Sequence, residues 1–197
     1  MLSPVLPPAR LTLFARFPAP GAAKTRLIPA IGAAAAAALH RTLVERTVSQ
    51  MRASGLPFEV RYTGETAQAF AAWLGSDVPL VDQGAGDLGD RLARVDAPAL
   101  LIGADAPSFD AGRMERAAHA LRDAAAVIGP AEDGGYYLLG LTRPMAFLFE
   151  AMPWGTDAVF AETMRRLRTR GIDPTVLETL ADIDRPEDLA RWPDLWP

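Results

Sequence analysis

The sequence predicts an α/β fold in which helices cover both faces of a mostly parallel sheet. Two observations support this class. Short apolar segments alternate with amphipathic ones along the chain, and loops rich in glycine and charged residues follow several of the apolar segments. Half of the 197 residues are hydrophobic, enough for the core of one domain spanning residues 1–197. Ligands of such sheets bind where loops leave the carboxyl ends of strands, so these loops are the first candidates for function.

Each predicted element follows from a local pattern. The apolar run 11–17, closed by Pro18, predicts the first strand, and the alanine-rich amphipathic segment 29–54 predicts a long helix that Gly55 can end. Short apolar or alternating segments predict the remaining strands, and amphipathic segments with helical spacing predict the remaining helices. Strands are expected at 58–63, 78–82, 98–103, 125–129, 136–141 and 174–177, and helices at 65–74, 87–95, 110–123, 156–170 and 186–191.

The composition excludes several classes of site. The chain has no cysteine, so disulfides, thiolate metal sites and a cysteine nucleophile are excluded, and any metal needs oxygen or histidine ligands. A net charge of −4 gives no electrostatic reason to expect nucleic-acid binding. The first ten residues lack the charged and apolar regions of a signal peptide, and no uninterrupted apolar run approaches a membrane span of about 18 residues. We therefore expect a cytoplasmic protein without membrane partners, whose oligomeric state the sequence leaves open.

The loop after the first predicted strand is the leading candidate for phosphate binding. Lys24 and Arg26 flank Thr25, and Gly21 precedes them, directly before the long helix. Glycine allows a close approach of the backbone, the helix start offers free N–H groups, lysine supplies a point charge and arginine a planar fork. For an arbitrary Lys-x-Arg pair, the alternative interpretation is a basic turn exposed to solvent. The position after the first strand favours the phosphate site.

Two acidic segments are candidate metal ligands. Asp105 follows the apolar strand 98–103, and hard divalent cations prefer carboxylate oxygens. Asp105 could instead cap the next helix, although Asp110 is better placed for that. Near the end of the chain, Asp182 and Asp184 point the same way if the backbone is extended. The spacing alone does not decide between a metal ligand and an ordinary helix cap there.

Two glycine-containing loops remain. Residues 84–89 match GxGxxG, but the helix that follows is too short for a dinucleotide-binding crossover, so a loop closing over a base or ribose fits better. Residues 133–135 (DGG) suit either a ligand loop or a tight hairpin turn. Trp154 could form a stacking lid, and Thr156 could line the site or cap the helix after it. His40 and His119 have no carboxylate partner nearby in sequence and receive no role.

Together these segments resemble a known family. The motifs are FxRxPxPGxxKTRL at 14–27, QGxGDLGDRL at 83–92, IGADAP at 102–107, GPAEDGGYYLLGL at 129–141 and DIDRPEDL at 182–189. They resemble the DUF2064 family of the nucleotide-diphospho-sugar transferase (GT-A-like) superfamily, related to molybdenum-cofactor guanylyltransferase and phospholactate guanylyltransferase. Three features depart from that superfamily: the glycine-rich LxxGxSxRxG opening is absent, DAP stands where glycosyltransferases more often have DxD, and Arg185 replaces the threonine commonly seen in the late motif.

The resemblance implies a three-layer α/β/α sandwich and assigns roles to the candidate residues. Asp105 and Asp184 would hold Mg²⁺ or Mn²⁺, with Asp184 preferred to Asp182 because it matches the late aspartate of VDTPEDL in the cytidylyltransferases. Lys24, Arg26 and Asp105 would be catalytic. The nucleotide would contact Arg16, Gly21, Lys24, Thr25, Arg26, Gly84, Gly86, Asp87 and Gly89. The acceptor would contact Asp133, Gly134, Gly135, Tyr136, Trp154 and Thr156.

The activity implied is metal-dependent transfer from a nucleotide substrate. The leading hypothesis joins an NTP to a small phosphorylated acceptor with release of pyrophosphate. Such chemistry needs alignment and charge stabilisation more than a general base, which agrees with a chain that has no cysteine and no assigned histidine. The alternatives are a glycosyltransferase that uses an NDP-sugar and a nucleotide-binding module without catalysis.

Overall fold

The structure is a computed structural model that describes residues 8–195. The strands are β1 Arg10–Arg16, β2 Phe58–Thr63, β3 Leu80–Asp82, β4 Ala99–Ile102, β5 Ala126–Pro130, β6 Tyr136–Leu141 and β7 Thr175–Val176. The α-helices are α1 Ile28–Ala53, α2 Ala67–Leu74, α3 Leu88–Ala93, α4 Ala111–Ala120 and α5 Val159–Thr169. Short 3-10 helices lie at Thr25–Leu27, Ala146–Leu148 and Pro186–Arg191.

The strands form one seven-stranded sheet in the order β3-β2-β1-β4-β6-β5-β7. Neighbours pair in parallel except around β6, which runs antiparallel to both β4 and β5. The chain moves from β1 toward one edge through β2 and β3, then returns to the other side of β1 with β4. The carboxyl ends of β1 and β4 are therefore adjacent at the point where the strand order reverses, which is where open α/β sheets bind ligands.

Side chains from the two faces of the sheet enter two separate cores. Along β4, Leu100 and Ile102 enter a core formed with α1 and α4, whereas Leu101 enters a core formed with α3 and α5. This alternation follows from the two-residue period of a strand. Helices thus cover both faces, and the predicted three-layer α/β/α arrangement with a mostly parallel sheet is confirmed.

Helix α1 is the longest helix, with 26 residues, and part of it is strongly apolar. The stretch Thr25–Ala53 has the length and mean hydropathy (1.5) at which a membrane span becomes conceivable by composition alone. In this fold the apolar side of α1 packs into the core beneath the sheet, where Leu39, Leu43 and Met51 are at most 1% exposed. The helix ends before Gly55, which has a φ of 65° and supplies the left-handed residue expected there.

The structure corrects several predicted boundaries. The helix predicted at 156–170 begins at Val159, since Thr156 forms a turn: its hydroxyl donates to the carbonyl of Pro153 and accepts from the amide of Ala158. The terminal helix predicted at 186–191 is a 3-10 helix. The prediction that the first ten residues lack the regions of a signal peptide rests largely on residues 1–7, which lie outside the described residues.

Candidate active site

The loop after β1 turns sharply at Lys24. This residue has φ 50° and ψ 43°, the left-handed conformation that side chains rarely adopt, and the 3-10 helix Thr25–Leu27 follows at once. The conformation costs a residue other than glycine roughly 1–2 kcal/mol. It accompanies a buried side chain: only 4% of the Lys24 side chain is exposed. A strained residue of this kind is typical of functional sites.

Lys24 joins three segments of the chain. Its Nζ lies 2.7 Å from Oδ1 of Asp105, directly beyond β4, and donates to the carbonyl of Ile183. Neighbouring protein atoms exclude part of the water around the Asp105 carboxyl, which acts to raise its pKa, but the charge and hydrogen bond of Lys24 outweigh this and hold the pKa below its ordinary value. The Asp105 side chain is 53% exposed, so an ionised carboxylate faces solvent. Asp110, and not Asp105, caps α4 by accepting from the amide of Arg113 at 2.9 Å.

Arg26 makes a second link to the late acidic segment. One of its guanidinium nitrogens donates to Asp184, and another donates to the carbonyl of Gly155 at 3.1 Å. The segment is fixed by Ile183, which is fully buried and whose amide donates to the carbonyl of Asp105 at 2.9 Å. Lys24, Arg26, Asp105 and Asp184 therefore meet in one place, although their sequence positions are far apart.

Asp182 has a different environment from Asp184. Burial, followed by the charges of Asp133 and Asp105, raises the pKa of Asp182 to about 6. Asp182 thus lies within electrostatic reach of the turn between β5 and β6, whereas Asp184 pairs with Arg26. The choice of Asp184 over Asp182 as the late metal ligand stays a prediction.

The first cleft opens between these charged groups. Its volume is about 280 Å³ and its lining residues are Arg16, Ala22, Ala23, Lys24, Thr25, Arg26, His40, Asp105 and Asp184. All predicted phosphate and metal residues line it except Gly21, which lies in the same loop with a φ of 83°. We call it the charged cleft.

The carboxylates of the charged cleft fit a divalent cation only together with a substrate. Among residues 8–195, no three histidine, aspartate or glutamate side chains converge on one point as a complete metal site. Asp105 and Asp184 supply two carboxylates, and Mg²⁺ is commonly held by one or two carboxylates plus substrate phosphates. This donor set suits a cation that arrives with a nucleotide.

A second cleft of about 220 Å³ adjoins the charged cleft at Gly155. It contains most of the predicted acceptor residues: Asp133, Gly135, Tyr136, Trp154 and Thr156. Gly134 lies in the same turn, but its backbone packs so closely on Asp157 that a side chain at position 134 would collide with it. Apolar side chains complete the lining, namely Phe14, Leu88, Leu92, Leu101, Ile102, Tyr137 and Val159. We call this the apolar cleft.

The predicted base and ribose residues do not line either cleft. Asp87 caps α3 by accepting from the amide of Asp90 at 2.9 Å, and Asp90 returns the bond in a capping box. Gly89 packs against another segment, since a Cβ there would lie 2.6 Å from the carbonyl oxygen of Phe149. Gly84 and Gly86 have φ values of 74° and 97° in the turn before α3. These residues have local structural roles, and their contact with a base stays a prediction.

Gln83 connects the ends of two strands to this turn. Its amide nitrogen donates to the carbonyl of Ala15 at 3.2 Å and to that of Arg61 at 2.8 Å, and its side-chain oxygen accepts from Arg91 at 3.2 Å. Gln83 is only 5% exposed. The side chain therefore fixes the turn 84–87 against the end of β1, a role that sequence analysis missed because its strand partners are backbone carbonyls.

His40 is the other missed residue. It lines the charged cleft, and its Nε2 lies 3.0 Å from the carbonyl oxygen of Arg16. Burial lowers the pKa of His40 and outweighs the hydrogen bond to the Arg16 carbonyl and the charge of Asp105, which both act to raise it. At neutral pH we expect a neutral ring that supports the end of β1. No sequence signal predicts this contact, since the partner is a carbonyl on another element.

Known structures share this fold over nearly the whole chain. A provisionally named nucleotide-diphospho-sugar transferase from Desulfovibrio desulfuricans G20 is 29% identical, with a TM-score of 0.84 over 92% of this chain and 84% of that one. A 4-diphosphocytidyl-2C-methyl-D-erythritol synthase from Anaerococcus prevotii DSM 20548 is 11% identical, with a TM-score of 0.58 over 94% and 97%. CMP:2-keto-3-deoxy-manno-octonic acid synthetase complexed with CTP is 14% identical, with a TM-score of 0.54 over 93% and 95%.

No curated protein matches the sequence. A family model does: residues 47–156 match the family described as uncharacterized protein conserved in bacteria (DUF2064). This match covers more than half of the chain. The protein therefore belongs to the DUF2064 family, and it has the fold of the nucleotide-diphospho-sugar transferases.

Proposed function

We propose that this protein is a metal-dependent transferase that joins the nucleotidyl group of an NTP to a small phosphorylated acceptor and releases pyrophosphate. One observation carries the proposal: the pairs Lys24–Asp105 and Arg26–Asp184 lie side by side in one cleft at the carboxyl ends of β1 and β4. Two cations suit the phosphates of a nucleotide, and two carboxylates suit the cation that travels with it.

The residues of the charged cleft would act by holding charge in place. Lys24 is a buried point charge and Arg26 a planar fork, so we expect both to contact the phosphates. Asp105 and Asp184 would hold Mg²⁺ or Mn²⁺, which stabilises the charge that develops on phosphate oxygens. An ionised acceptor phosphate needs no general base. Its oxygen forms a bond to the α-phosphorus, the bond from that phosphorus to the bridging oxygen breaks, and pyrophosphate leaves with the electron pair.

The names of the structural neighbours support a nucleotide substrate. One relative was solved with CTP, and Rv0371c from Mycobacterium tuberculosis H37Rv, 19% identical with a TM-score of 0.52 over 93% of this chain and 97% of that one, was solved as a manganese complex. The name of the Desulfovibrio desulfuricans G20 relative favours a second candidate, glycosyl transfer from an NDP-sugar. The sequence DAP at 105–107, in place of DxD, favours nucleotidyl transfer.

A thermal-shift panel tests the proposal. The chain is melted with ATP, GTP, CTP or UTP, and with UDP-glucose or GDP-mannose, each with and without Mg²⁺, because a ligand of the native state raises the midpoint by mass action. We expect stabilisation by an NTP that grows with Mg²⁺. Stabilisation by NDP-sugars alone would favour glycosyl transfer instead. No response to any nucleotide would refute the proposal.

Turnover separates an enzyme from a binding module. With a stabilising NTP, pyrophosphate release is measured in the presence of candidate sugar phosphates and other phosphorylated metabolites. Asp105→Ala is the inactive comparison, and Asp77→Ala, on the surface away from the cleft, is the control for a lost aspartate. If Asp105→Ala binds nucleotide as the parent does and the parent shows no release, a binding module without catalysis is the better description.

A further inference from the structure

The backbone directly before Asp184 is held by two hydrogen bonds. The amide of Ile183 donates to the carbonyl of Asp105 at 2.9 Å, and the carbonyl of Ile183 accepts from Nζ of Lys24. The Ile183 side chain is fully buried in the core. The chain therefore enters the charged cleft at a fixed point, one residue before the proposed metal ligand.

The backbone after Asp184 depends on the carboxylate of Asp188. Its Oδ2 accepts from the amide of Asp184 at 2.9 Å and from the amide of Arg185 at 2.7 Å. The amide of Asp188 donates in turn to the carbonyl of Arg185 at 3.0 Å, at the start of the 3-10 helix Pro186–Arg191. Within the described chain, no other side chain accepts a hydrogen bond from the backbone of residues 183–185. One carboxylate oxygen therefore holds two successive amides.

These contacts fix the direction in which the Asp184 side chain leaves the backbone. Peptide groups are planar, so each residue has only two soft backbone dihedrals, one toward each flanking peptide group. The peptide group before Asp184 is held at its oxygen by Lys24 and at its nitrogen by Asp188, and the peptide group after it is held at its nitrogen by Asp188. Both dihedrals of Asp184 are thereby restrained, and its side-chain torsions alone bring the carboxylate to Arg26.

Asp188 lies beside the charged cleft and does not belong to its lining. The 3-10 helix that carries it has anchors of its own. Leu189 is 5% exposed in the core, and Arg191 pairs with Glu132, directly beyond β5. Loss of the Asp188 carboxylate would therefore release the backbone around Asp184 while the helix stays docked.

We propose that Asp188 is a positioning residue for the proposed metal site: its carboxylate holds the peptide groups around Asp184, so that the Asp184 carboxylate is presented to Mg²⁺ or Mn²⁺ in one orientation. The inference rests on the proposed function and adds to it a determinant of metal affinity that touches neither the metal nor the nucleotide. A ligand that is already oriented loses less conformational freedom when the metal binds. Loss of a hydrogen-bonded partner of a metal ligand typically weakens metal binding about 10- to 100-fold.

Two variants separate the acceptor of Asp188 from its charge. Asp188→Ala removes the acceptor, whereas Asp188→Asn loses the charge and keeps an oxygen that can accept from both amides. The readout is the dissociation constant of the NTP that stabilises the parent most, measured by calorimetry in excess Mg²⁺ and again in EDTA. In Mg²⁺ we expect Asp188→Ala to raise this constant about 10- to 100-fold. Asp188→Asn should stay close to the parent, as should Asp77→Ala, the control for a lost aspartate away from the cleft.

The measurement in EDTA distinguishes positioning from general damage to the cleft. Without a metal we expect Asp188→Ala to bind the NTP as the parent does, and an equal loss in EDTA and in Mg²⁺ would overturn the proposal. A parental dissociation constant of Asp188→Ala in Mg²⁺ would also overturn it. The same holds if Asp188→Asn is as impaired as Asp188→Ala, since the charge and not the acceptor would then matter. Asp188→Leu, which has nearly the shape of aspartate and no acceptor, carries the same test should Asp188→Ala not fold.

Amide hydrogen exchange, followed by NMR on the full chain, tests the geometry without any ligand. Asp188→Ala should speed the exchange of the amides of Asp184 and Arg185, and Asp188→Asn should restore slow exchange. The amide of Gly135, which donates to Asp133, should exchange as in the parent and is the control. Unchanged exchange of the first two amides in Asp188→Ala would contradict the role given to Asp188.

Failure of this inference and failure of the proposed function give different results. If no NTP binds to the parent, the proposed function fails, and amide exchange alone decides whether Asp188 orders the backbone. If Asp184→Asn binds the NTP in Mg²⁺ as tightly as the parent does, Asp184 is not the metal ligand. The inference about Asp188 then fails while nucleotide binding stands.

Discussion

Replacement of Lys24 by methionine is the sharpest test of the charged cleft. The Lys24 side chain is 4% exposed, lies 2.7 Å from Asp105 and donates to the carbonyl of Ile183. Methionine keeps an unbranched side chain of similar length and removes the charge and the donors. The variant therefore reports the effect of losing the positive charge and its hydrogen bonds, while the packing of the loop is largely kept.

The effect on folding should be limited. The carboxylate of Asp105 is 53% exposed, so water can solvate it once Lys24 is gone, and no isolated charge is left in the interior. The carbonyl of Ile183 does lose its donor, at a cost of about 1–3 kcal/mol. We expect Lys24→Met to fold with a lower but measurable free energy of unfolding in urea.

The effect on nucleotide binding should be larger. A hydrogen bond from a charged group contributes about 1.5–3 kcal/mol, which corresponds to a dissociation constant about 10- to 150-fold higher. Isothermal titration calorimetry with the NTP that stabilises the parent most, in the presence of Mg²⁺, measures this change. Arg52→Met is the matched control, because it breaks the ion pair of Arg52 with Asp77 (2.9 Å), which lies outside the charged cleft. A folded Lys24→Met that binds the nucleotide with the parental dissociation constant would refute the reasoning.

Further predictions concern the late aspartates, the glutamine bridge and the hairpin turn. We expect Asp184→Asn to lose the Mg²⁺-dependent part of the thermal shift by an NTP, and Asp182→Asn to keep it; the reverse pattern would make Asp182 the ligand. Gln83→Leu leaves two strand carbonyls without their donor, so the free energy of unfolding in urea should fall by about 1–3 kcal/mol for each. Gly134→Ala adds a Cβ that collides with the Asp157 backbone at a φ of 87°, so an overpacking cost of about 1–3 kcal/mol adds to the left-handed penalty, and that free energy should fall by about 2–5 kcal/mol. Gly171→Ala, also at positive φ but in open space, should cost only the left-handed penalty of roughly 1–2 kcal/mol, and equal losses would contradict the collision.

The order of strands and helices could be predicted because its signals are local. Alternation in β2 and the helical period of α1 are visible in short windows, and the structure places those elements within one or two residues of the prediction. Lys24 and Asp105 were identifiable for a related reason. Each follows a predicted buried strand, and the carboxyl ends of neighbouring parallel strands lie at one edge of the sheet.

Other features depend on contacts that no short window contains. The antiparallel course of β6 is decided by pairing with β4 and β5, and the DGG turn before it fitted a hairpin and a ligand loop equally well. His40 and Gln83 bind backbone carbonyls of distant elements, and the identity of a residue does not reveal the position of another residue's carbonyl. The glycines at 84–89 matched a ligand fingerprint, yet in the structure they serve a turn and a close helix contact.

The pairing of charges in the charged cleft has a thermodynamic consequence. Lys24 is paired with Asp105, and Arg26 is paired with Asp184. A metal ion without a nucleotide would compete with Lys24 and Arg26 for the two carboxylates. A nucleotide without a metal ion would have its phosphates close to both carboxylates. If the proposed function holds, a metal and a nucleotide that arrive together would exchange both pairs at once: the carboxylates would bind the metal and the side-chain cations would bind the phosphates. We therefore expect positive cooperativity, in which Mg²⁺ strengthens nucleotide binding by the same factor as the nucleotide strengthens Mg²⁺ binding. Under the proposed function, such a cleft would select the metal complex of the nucleotide over either component alone.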